Sequence, residues 1–361
     1  MVSTIAVRDF RNLRGVSVLA PGVNILHGDN AQGKTNFLEA VYLCATGRSH
    51  RASADREMIR FGQSEAHVQA VVKNGGSSDC IDVHLKKDAK KGVALNHVPI
   101  RKLGDLFGLL IVVMFSPEDL GLVKSGPACR RQFMDIELCQ LSKTYYFNLQ
   151  QYYQALRQRN NLLKTLASSP KQKPELTDTL SVWDEQLAAY GGRIIAKRGG
   201  FAERLNQIAG GVHAGLSGQK EKLEITYKPS VTQEDFREKL RKSAEKDMYL
   251  GFTSVGVHKD DLQFSVNGSD VRAYGSQGQQ RTASLSAKLS EIEIIREHKK
   301  ESPVLLLDDV LSELDKSRQR LLCGKIEDIQ TVITCTGLED VLRNLPGEVR
   351  MMKMADGVAE G

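Results

Sequence analysis

Long hydrophobic runs are missing: no stretch approaches the roughly 18 to 20 residues that cross a bilayer, and the opening residues Met1 to Phe10 lack a signal-peptide layout. These absences argue against a spanning or exported protein, and a cytoplasmic one is expected. The six cysteines (Cys44, Cys80, Cys129, Cys139, Cys323, Cys335) show neither close pairs nor metal-ligand spacing, which points to reduced thiols rather than bridges or zinc ligands. The eight histidines are equally scattered. Internal repeats and low-complexity tracts are also missing. No single sign of charge dominates: 50 basic against 44 acidic side chains leave a net +6, which permits nucleic-acid binding without requiring it. What is present is ordinary for a globular protein, 41% hydrophobic and 26% charged. At 361 residues the chain is long for one core, so two domains, or one with a large excursion, are expected.

The most informative stretch is Gly28-Asp29-Asn30-Ala31-Gln32-Gly33-Lys34-Thr35, which meets every fixed position of G-x-x-x-x-G-K-[ST]. A polyphosphate must be wrapped by backbone N–H groups, and glycine at 28 and 33 lets the backbone approach closely. Lys34 supplies a positive charge to the outer phosphates, and the Thr35 hydroxyl is placed to ligate Mg2+. The loop follows an apolar run, Val23 to Leu26, and opens onto helical spacing from Asn36, so a helix N-terminus adds its own attraction for anions. This strand, loop and helix read as an ATP-type nucleotide site.

Short β-like runs fill the first hundred residues: Ile5–Val7, Val16–Leu19, Val23–Leu26, Val68–Val72 and Ile81–Leu85, with Asn74-Gly75-Gly76 as a hairpin signal. Leu109 to Phe115 reads as a strand buried on both faces. From Arg130 to Leu166 the pattern is helical, with Leu149, Tyr153, Leu156, Asn160 and Leu163 on one seam. A second seam joins Leu180, Trp183, Leu187, Tyr190, Ile194, Phe201, Leu205 and Ile208. The Ala167 to Asp178 segment, with two prolines and a cap at Thr177 or Asp178, should separate two antiparallel helices of roughly 45 Å each. Strands return at Leu223–Tyr227 and Leu262–Val266, with a charged helix near Gln233–Met248 between them. A helix follows at Ala283–His298. Ala355 to Gly361 reads as frayed.

Pro303 to Asp309 is an apolar strand ending in two carboxylates. Alone this is equally a strand-to-turn junction, but beside the phosphate loop Asp308 becomes a metal candidate and Asp309 a carboxylate able to orient or deprotonate water. The loop and these acids come from opposite ends of the chain, with the helical excursion between them. Upstream, Tyr274-Gly275-Ser276-Gln277-Gly278-Gln279-Gln280-Arg281-Thr282 opens a long helix. It offers either a second anion cradle or a simple serine cap. A second cradle is explained most economically if it covers a nucleotide held by another subunit, burying ATP at a dimer interface.

The chain resembles the ABC-type ATPases of the SMC class, and among them the RecF family of bacterial recombination mediators, over nearly its full length. The resemblance is carried by Phe10-Arg11-Asn12, by Phe115-Ser116-Pro117-Glu118-Asp119-Leu120, by Gly126-Pro127 with Arg130, Arg131, Phe133 and Asp135, and by Gly275 to Thr282. It implies an α/β ABC-type P-loop head, with a mixed sheet, flanking helices, an N-terminal β-rich lobe and an inserted short antiparallel helical arm. The implied layout is 1–120 as the first part of the head, 121–222 as the arm and 223–361 as the second part. In family terms Gly28 to Asn36 with Arg11 and Asn12 bind nucleotide, Lys34 and Asp309 are catalytic, and Thr35 and Asp308 hold Mg2+. Ser276, Gln277, Gly278 and Gln279 form the signature motif acting in trans, and Asp315 belongs to the D-loop.

The resemblance further implies ATP-dependent homodimerisation on single-stranded, gapped or junction DNA. It also implies action with RecO and RecR, and through them RecA, in replication, repair and the SOS response. Three departures bear on rate and role. Asp309 stands where glutamate is usual, Val332 to Thr336 carries Thr334 and Thr336 in place of a switch histidine, and Val257 and Lys259 flank His258 where proline and arginine are common. Slow, DNA-stimulated ATP hydrolysis used as a timer for release is therefore expected. Arg130, Arg131, Lys143, Arg157, Arg159, Lys164, Arg193, Lys197, Arg198 and Arg204 supply cations along the arm. Arg193, Lys197 and Arg198 are the named DNA candidates, against the plain alternative of a solvated helix face. A non-catalytic ATP-dependent interaction module and another ABC-class subunit are the rival readings.

Overall fold

The computed structural model describes residues 1–168, 173–337, 345 and 349–361. They form two compact units, one of Met1–Asp119 with Lys288–Gly361 and one of Leu120–Ala287.

The first unit opens with β1 (Val2–Phe10), β2 (Leu13–Val18), β3 (Val23–His27) and α1 (Lys34–Thr46). It continues through β4 (Glu65–Asn74), β5 (Ser77–Lys86), β6 (Gly92–Leu95), β7 (Val98–Pro99) and β8 (Val112–Phe115). An antiparallel sheet runs β2-β1-β4-β5-β6-β7. Period-two alternation sets its faces: Ala66, Val68, Ala70 and Val72 with Ile81, Val83 and Leu85 are buried, while His67, Gln69, Cys80, Asp82 and His84 take the other face. The hairpin at Gly75-Gly76 forms, with Asn74 opposite Ser77 and both glycines at positive φ (53° and 96°). The strand expected from Leu109 starts only at Val112, because Gly108 (φ 88°) still turns the chain there.

The second unit holds α2 (Gly121–Lys124), α3 (Pro127–Leu141), α4 (Lys143–Ser168), α5 (Lys173–Leu216), β9 (Leu223–Lys228), α6 (Phe236–Leu250), β10 (Asp261–Val266), β11 (Ser269–Asp270) and α7 (Val271–Tyr274). The unit boundary falls within α8 (Gln277–Lys299). Pairing of Tyr145 with Arg198, Phe147 with Tyr190 and Arg159 with Asp184 shows α4 and α5 antiparallel. The helices are unequal, about 39 Å against about 66 Å at 1.5 Å per residue. Of the expected linker, Pro170 lies outside the described residues. Helix α5 already begins at Lys173, so neither Thr177 nor Asp178 caps it; a proline is tolerated in a first turn, where its missing N–H has no intrahelical partner anyway. The buried seam of α4 is Tyr145, Tyr152, Leu156, Arg159, Leu163 and Leu166, with Tyr153 exposed and Asn160 at its margin. Strands β9 and β10, with α6, pack with these helices, so the unit extends to Ala287.

The first unit resumes with β12 (Val304–Asp308), α9 (Val310–Glu313), α10 (Lys316–Lys325), β13 (Thr331–Cys335), β14 (Val349–Ala355) and β15 (Val358–Glu360). A second sheet runs β15-β14-β3-β13-β12-β8, parallel except for β15. Its central strands are buried almost throughout and mainly apolar, as in a sheet covered on both faces, with Asn24, Asp308, Thr331 and Thr334 as buried polar residues. Helix α1 packs against strands of both sheets and is buried on nearly every side, with Phe37, Leu38, Val41 and Leu43 in the shared core. Each such side chain contributes about 1.5–3 kcal/mol by leaving water. The tail is not frayed: β14 and β15 close a hairpin at Asp356-Gly357 (φ 48° and 76°), and β14 pairs with β3. None of the six cysteines is in a disulfide. Among the described residues no helix is long and apolar enough to cross a membrane.

Candidate active site

Three parallel strands deliver the site at one level. Leu26 of β3 registers with Thr334 of β13, and Thr334 with Asp308 of β12, so the chain leaves all three strands toward the same edge of the sheet. From β3 the backbone enters Gly28 (φ 145°), where an added Cβ would lie 2.6 Å from the Met354 carbonyl oxygen. It then passes Ala31 (φ 65°) and Gly33 (φ 109°), where a Cβ would meet Leu13 and the Asn12 amide. Gly33 is the N-cap of α1 and supplies no side-chain cap, so the first N–H groups of this helix stay available to an acceptor outside it.

Lys34 is buried and its ammonium donates to the carbonyls of Gly28 (2.6 Å) and Asp29 (2.8 Å). Those oxygens mark where acceptors sit around Nζ, and an ammonium has a third donor beyond them. The Thr35 hydroxyl donates to Asp308 Oδ1 at 2.8 Å, and the Thr334 hydroxyl reaches the same oxygen at 2.8 Å. Thr334 Oγ1 in turn accepts the Asp309 amide at 3.0 Å. A carboxylate beside a hydroxyl is a hard, all-oxygen donor set that suits Mg2+. Asp309 is left-handed (φ 52°), and the Ser312 hydroxyl bridges its carbonyl oxygen (2.6 Å) and its carboxylate (3.1 Å). Asp315 caps α10 by accepting the amides of Ser317 and Arg318, which holds its carboxyl below the usual range.

Of the pair Arg11 and Asn12, only Asn12 bonds the loop, while Arg11 reaches the helix that follows it. Asn12 donates to the Ala31 carbonyl (3.1 Å) and accepts from Asn36 (2.8 Å). Arg11 forks onto Glu39 with two bonds of 3.0 Å. Glu39 is fully buried in α1, and Arg51 reaches it at 2.7 Å while also donating to Asn36. Burial opposes ionisation of Glu39, but hydrogen bonds from Arg11, Ser49 and Arg51 overcome it and bring the carboxyl down to about 2. Sequence reasoning missed Glu39, Ser49 and Arg51. An acid set between Phe37-Leu38 and Ala40-Val41 in an otherwise apolar stretch of helix was the available signal. Gln32 does more than line the loop: its side chain accepts the Asp356 amide at 2.8 Å and ties the loop to the terminal hairpin.

In the second unit Ser276 and Gln279 form a reciprocal cap at the start of α8: Ser276 Oγ accepts the Gln279 amide (3.2 Å) and Gln279 Oε1 accepts the Ser276 amide (2.9 Å). The cap uses a lone pair of the serine, so its hydroxyl hydrogen can still donate. Ser276, Gln277 and Gly278 are exposed.

The DNA candidates separate. Arg193 and Lys197 are exposed, one helical turn apart. Arg198 is not available to DNA: its side chain is fully buried, paired with Asp260 (2.9 Å) and Asp135 (2.8 Å), and bonded to the Val257 carbonyl and the Tyr145 hydroxyl. Arg159 is likewise buried against Asp184 and Asp247, and Arg130 forks onto Asp261. These arginines tie the helices of the second unit to α6 and β10. His258 bonds Tyr152 and the Thr253 carbonyl, and burial pushes it down to about 4, so it is a neutral packing residue at pH 7.

A phosphate loop, an acid-tipped central strand and a mixed sheet facing an antiparallel one define the ABC-type ATPase fold of SMC heads. The family profile described as RecF/RecN/SMC N terminal domain matches residues 1–359. The chain is 50% identical over 358 residues to the DNA replication and repair protein RecF of Lachnospira eligens, covering 99% of this chain and 98% of that one. A solved structure of the recombination mediator protein RecF with ATP, from the RecFOR pathway, superposes with a TM-score of 0.92 at 37% identity, covering 99% and 96% of the two chains. An Smc head domain from Pyrococcus furiosus shares the fold alone, at TM-score 0.57 and 15% identity over 99% and 95%. The chain therefore belongs to the RecF/RecN/SMC family and, within it, to the RecF group.

Proposed function

We propose that this chain is a RecF-type recombination mediator that binds Mg-ATP at Gly28 to Asn36, dimerises across the nucleotide and clamps single-stranded, gapped or junction DNA. The carrying observation is the junction of Thr35, Asp308 and Thr334, three chain-distant side chains meeting on one oxygen beside an open helix N-terminus. Its partners in this reading are RecO and RecR, and through them RecA, which the likeness to a RecF of the RecFOR pathway supports. Thr35 and Asp308 would hold the ion, which supplies positive charge to the phosphates. Lys34 turns its remaining donor to the outer phosphates, and the loop amides wrap them. Ser276 of a second copy donates its hydroxyl to the terminal phosphate, with the exposed amides at the start of α8 beside it. Asp309 orients the attacking water. Its side chain is one methylene shorter than glutamate and is engaged by Ser312, which makes turnover slow and suits hydrolysis to timing release.

Phosphate release measured over many turnovers, with and without gapped DNA, tests this reading. Slow DNA-stimulated release, lost in Lys34→Ala and Asp308→Asn, is expected. ATP binding with no turnover in the wild type would leave a non-catalytic interaction module instead.

A further inference from the structure

The outer face of the antiparallel sheet carries a second chemistry, independent of the nucleotide reading. Cys80 and Asp82 alternate on β5, pointing away from the core side chains Ile81 and Val83. The β6–β7 turn brings His97 over them. Cys80 Sγ lies 3.5 Å from Asp82 Oδ2, His97 Nδ1 lies 3.4 Å from that oxygen, and the three ligand atoms fall within 4.8 Å of one another. Ligands around one tetrahedral zinc ion, at ordinary bond lengths, are about 3.4 Å apart for nitrogen and oxygen and about 3.6 Å apart for sulfur and oxygen. The two spacings to Asp82 Oδ2 therefore match donors that share one ion, and the third pair lies within 4.8 Å.

The surroundings hold these donors in place. Gln69 donates to Asp82 Oδ1 at 2.7 Å, and His67 Nε2 stands 3.5 Å from the same atom, so Oδ2 is the oxygen turned to Cys80 and His97. Asn96 accepts the Cys80 amide (2.8 Å), donates its own amide to the Cys80 carbonyl (2.8 Å) and donates its side chain to Asp79 (3.0 Å). Asn96 and His97 are both left-handed (φ 51° and 65°), a conformation uncommon outside glycine and adopted more readily by asparagine and histidine than by most residues. That turn sets the imidazole above the thiol. The spacing of these residues in the sequence gave no sign of a site, because the third donor arrives through strand pairing.

We propose that Cys80, Asp82 and His97 bind a borderline-soft divalent cation of the zinc or cobalt class, with a fourth position open to water, clipping the β6–β7 hairpin to β5. Thiolate and imidazole select such an ion over Mg2+. Binding releases the thiol proton as the metal–sulfur bond forms.

Titrating the reduced, chelator-treated full chain with Co2+ tests this. One ion per chain is expected, with near-ultraviolet thiolate-to-cobalt absorption and tetrahedral bands in the visible, both bleached by Zn2+. The thiolate band should vanish in Cys80→Ser. Affinity should fall at least about tenfold in His97→Ala, a change at a side chain 76% exposed that leaves the fold intact. Lys34→Ala should bind Co2+ like the wild type. Zn2+ should also slow iodoacetamide alkylation of Cys80 and leave that of Cys129 unchanged. Absence of the thiolate band, its survival in Cys80→Ser, or Cys80 alkylation indifferent to saturating Zn2+ would each overturn the site and leave only a thiol hydrogen-bonded to Asp82.

Discussion

Replacing Arg198 by alanine should destabilise the second unit rather than weaken a DNA contact. The guanidinium is fully buried and pairs with Asp260, itself fully buried, and with Asp135. Removing one partner of such a pair costs about 3–5 kcal/mol, because the other charge stays buried without it. A typical domain has only about 5–15 kcal/mol in total. Residual donors soften the loss: Tyr227 and the Ser230 amide still serve Asp260, and Tyr145 still serves Asp135. Urea unfolding followed by Trp183, the single tryptophan, reports on α5 directly. The deficit should also depend on pH in a fixed sense. Burial already raises the Asp260 carboxyl despite Arg198, and losing the guanidinium raises it further. A carboxyl whose folded pKa exceeds its unfolded value of about 3.9 takes up a proton preferentially in the folded state. The variant's deficit is therefore smallest in acid and grows as pH rises through the folded pKa. A loss under about 1 kcal/mol, or one that ignores pH, would refute the keystone role.

Glu39 runs the opposite way. Its folded carboxyl is held at about 2, below the unfolded value, so its contribution is full above about 4.5 and is lost as pH falls through about 2. Glu39→Gln should lose on the order of 3 kcal/mol at neutral pH and flatten acid destabilisation over that window, read by hydrogen exchange of α1 amides. Unchanged acid sensitivity would deny Glu39 this role. Reversing the exposed pair Arg193→Glu and Lys197→Glu together should weaken DNA binding and lower the log–log salt slope by about 1.4–1.8, with stability within about 0.5 kcal/mol of the wild type. An unchanged slope would place the DNA elsewhere.

The phosphate loop was legible because its chemistry demands fixed residues at fixed spacing, and Asp308 because an apolar strand ending in acid has few uses beside such a loop. Arg198 misleads for a physical reason. Charge on a helix is usually solvated, yet Arg198 lies four residues after Ile194 and three before Phe201, on the apolar seam itself. Position on that seam, more than residue type, signals burial. Arg159, three after Leu156 and four before Leu163, carries the same signature. The terminal hairpin escapes a local reading because its pairing partner, β3, lies at the far end of the sequence. Ser276 forms the helix cap that one of its sequence readings expects, and the hydroxyl hydrogen the cap leaves unused is what the proposed contact in trans needs.

Molar mass by light scattering, with and without Mg-ATP, for the wild type and for Ser276→Arg, tests most directly that the nucleotide is shared between two copies. The wild type is expected to double in mass with ATP, while Ser276→Arg binds nucleotide and remains single. A wild type that stays monomeric with ATP and DNA present would contradict the shared site and confine ATP to one subunit.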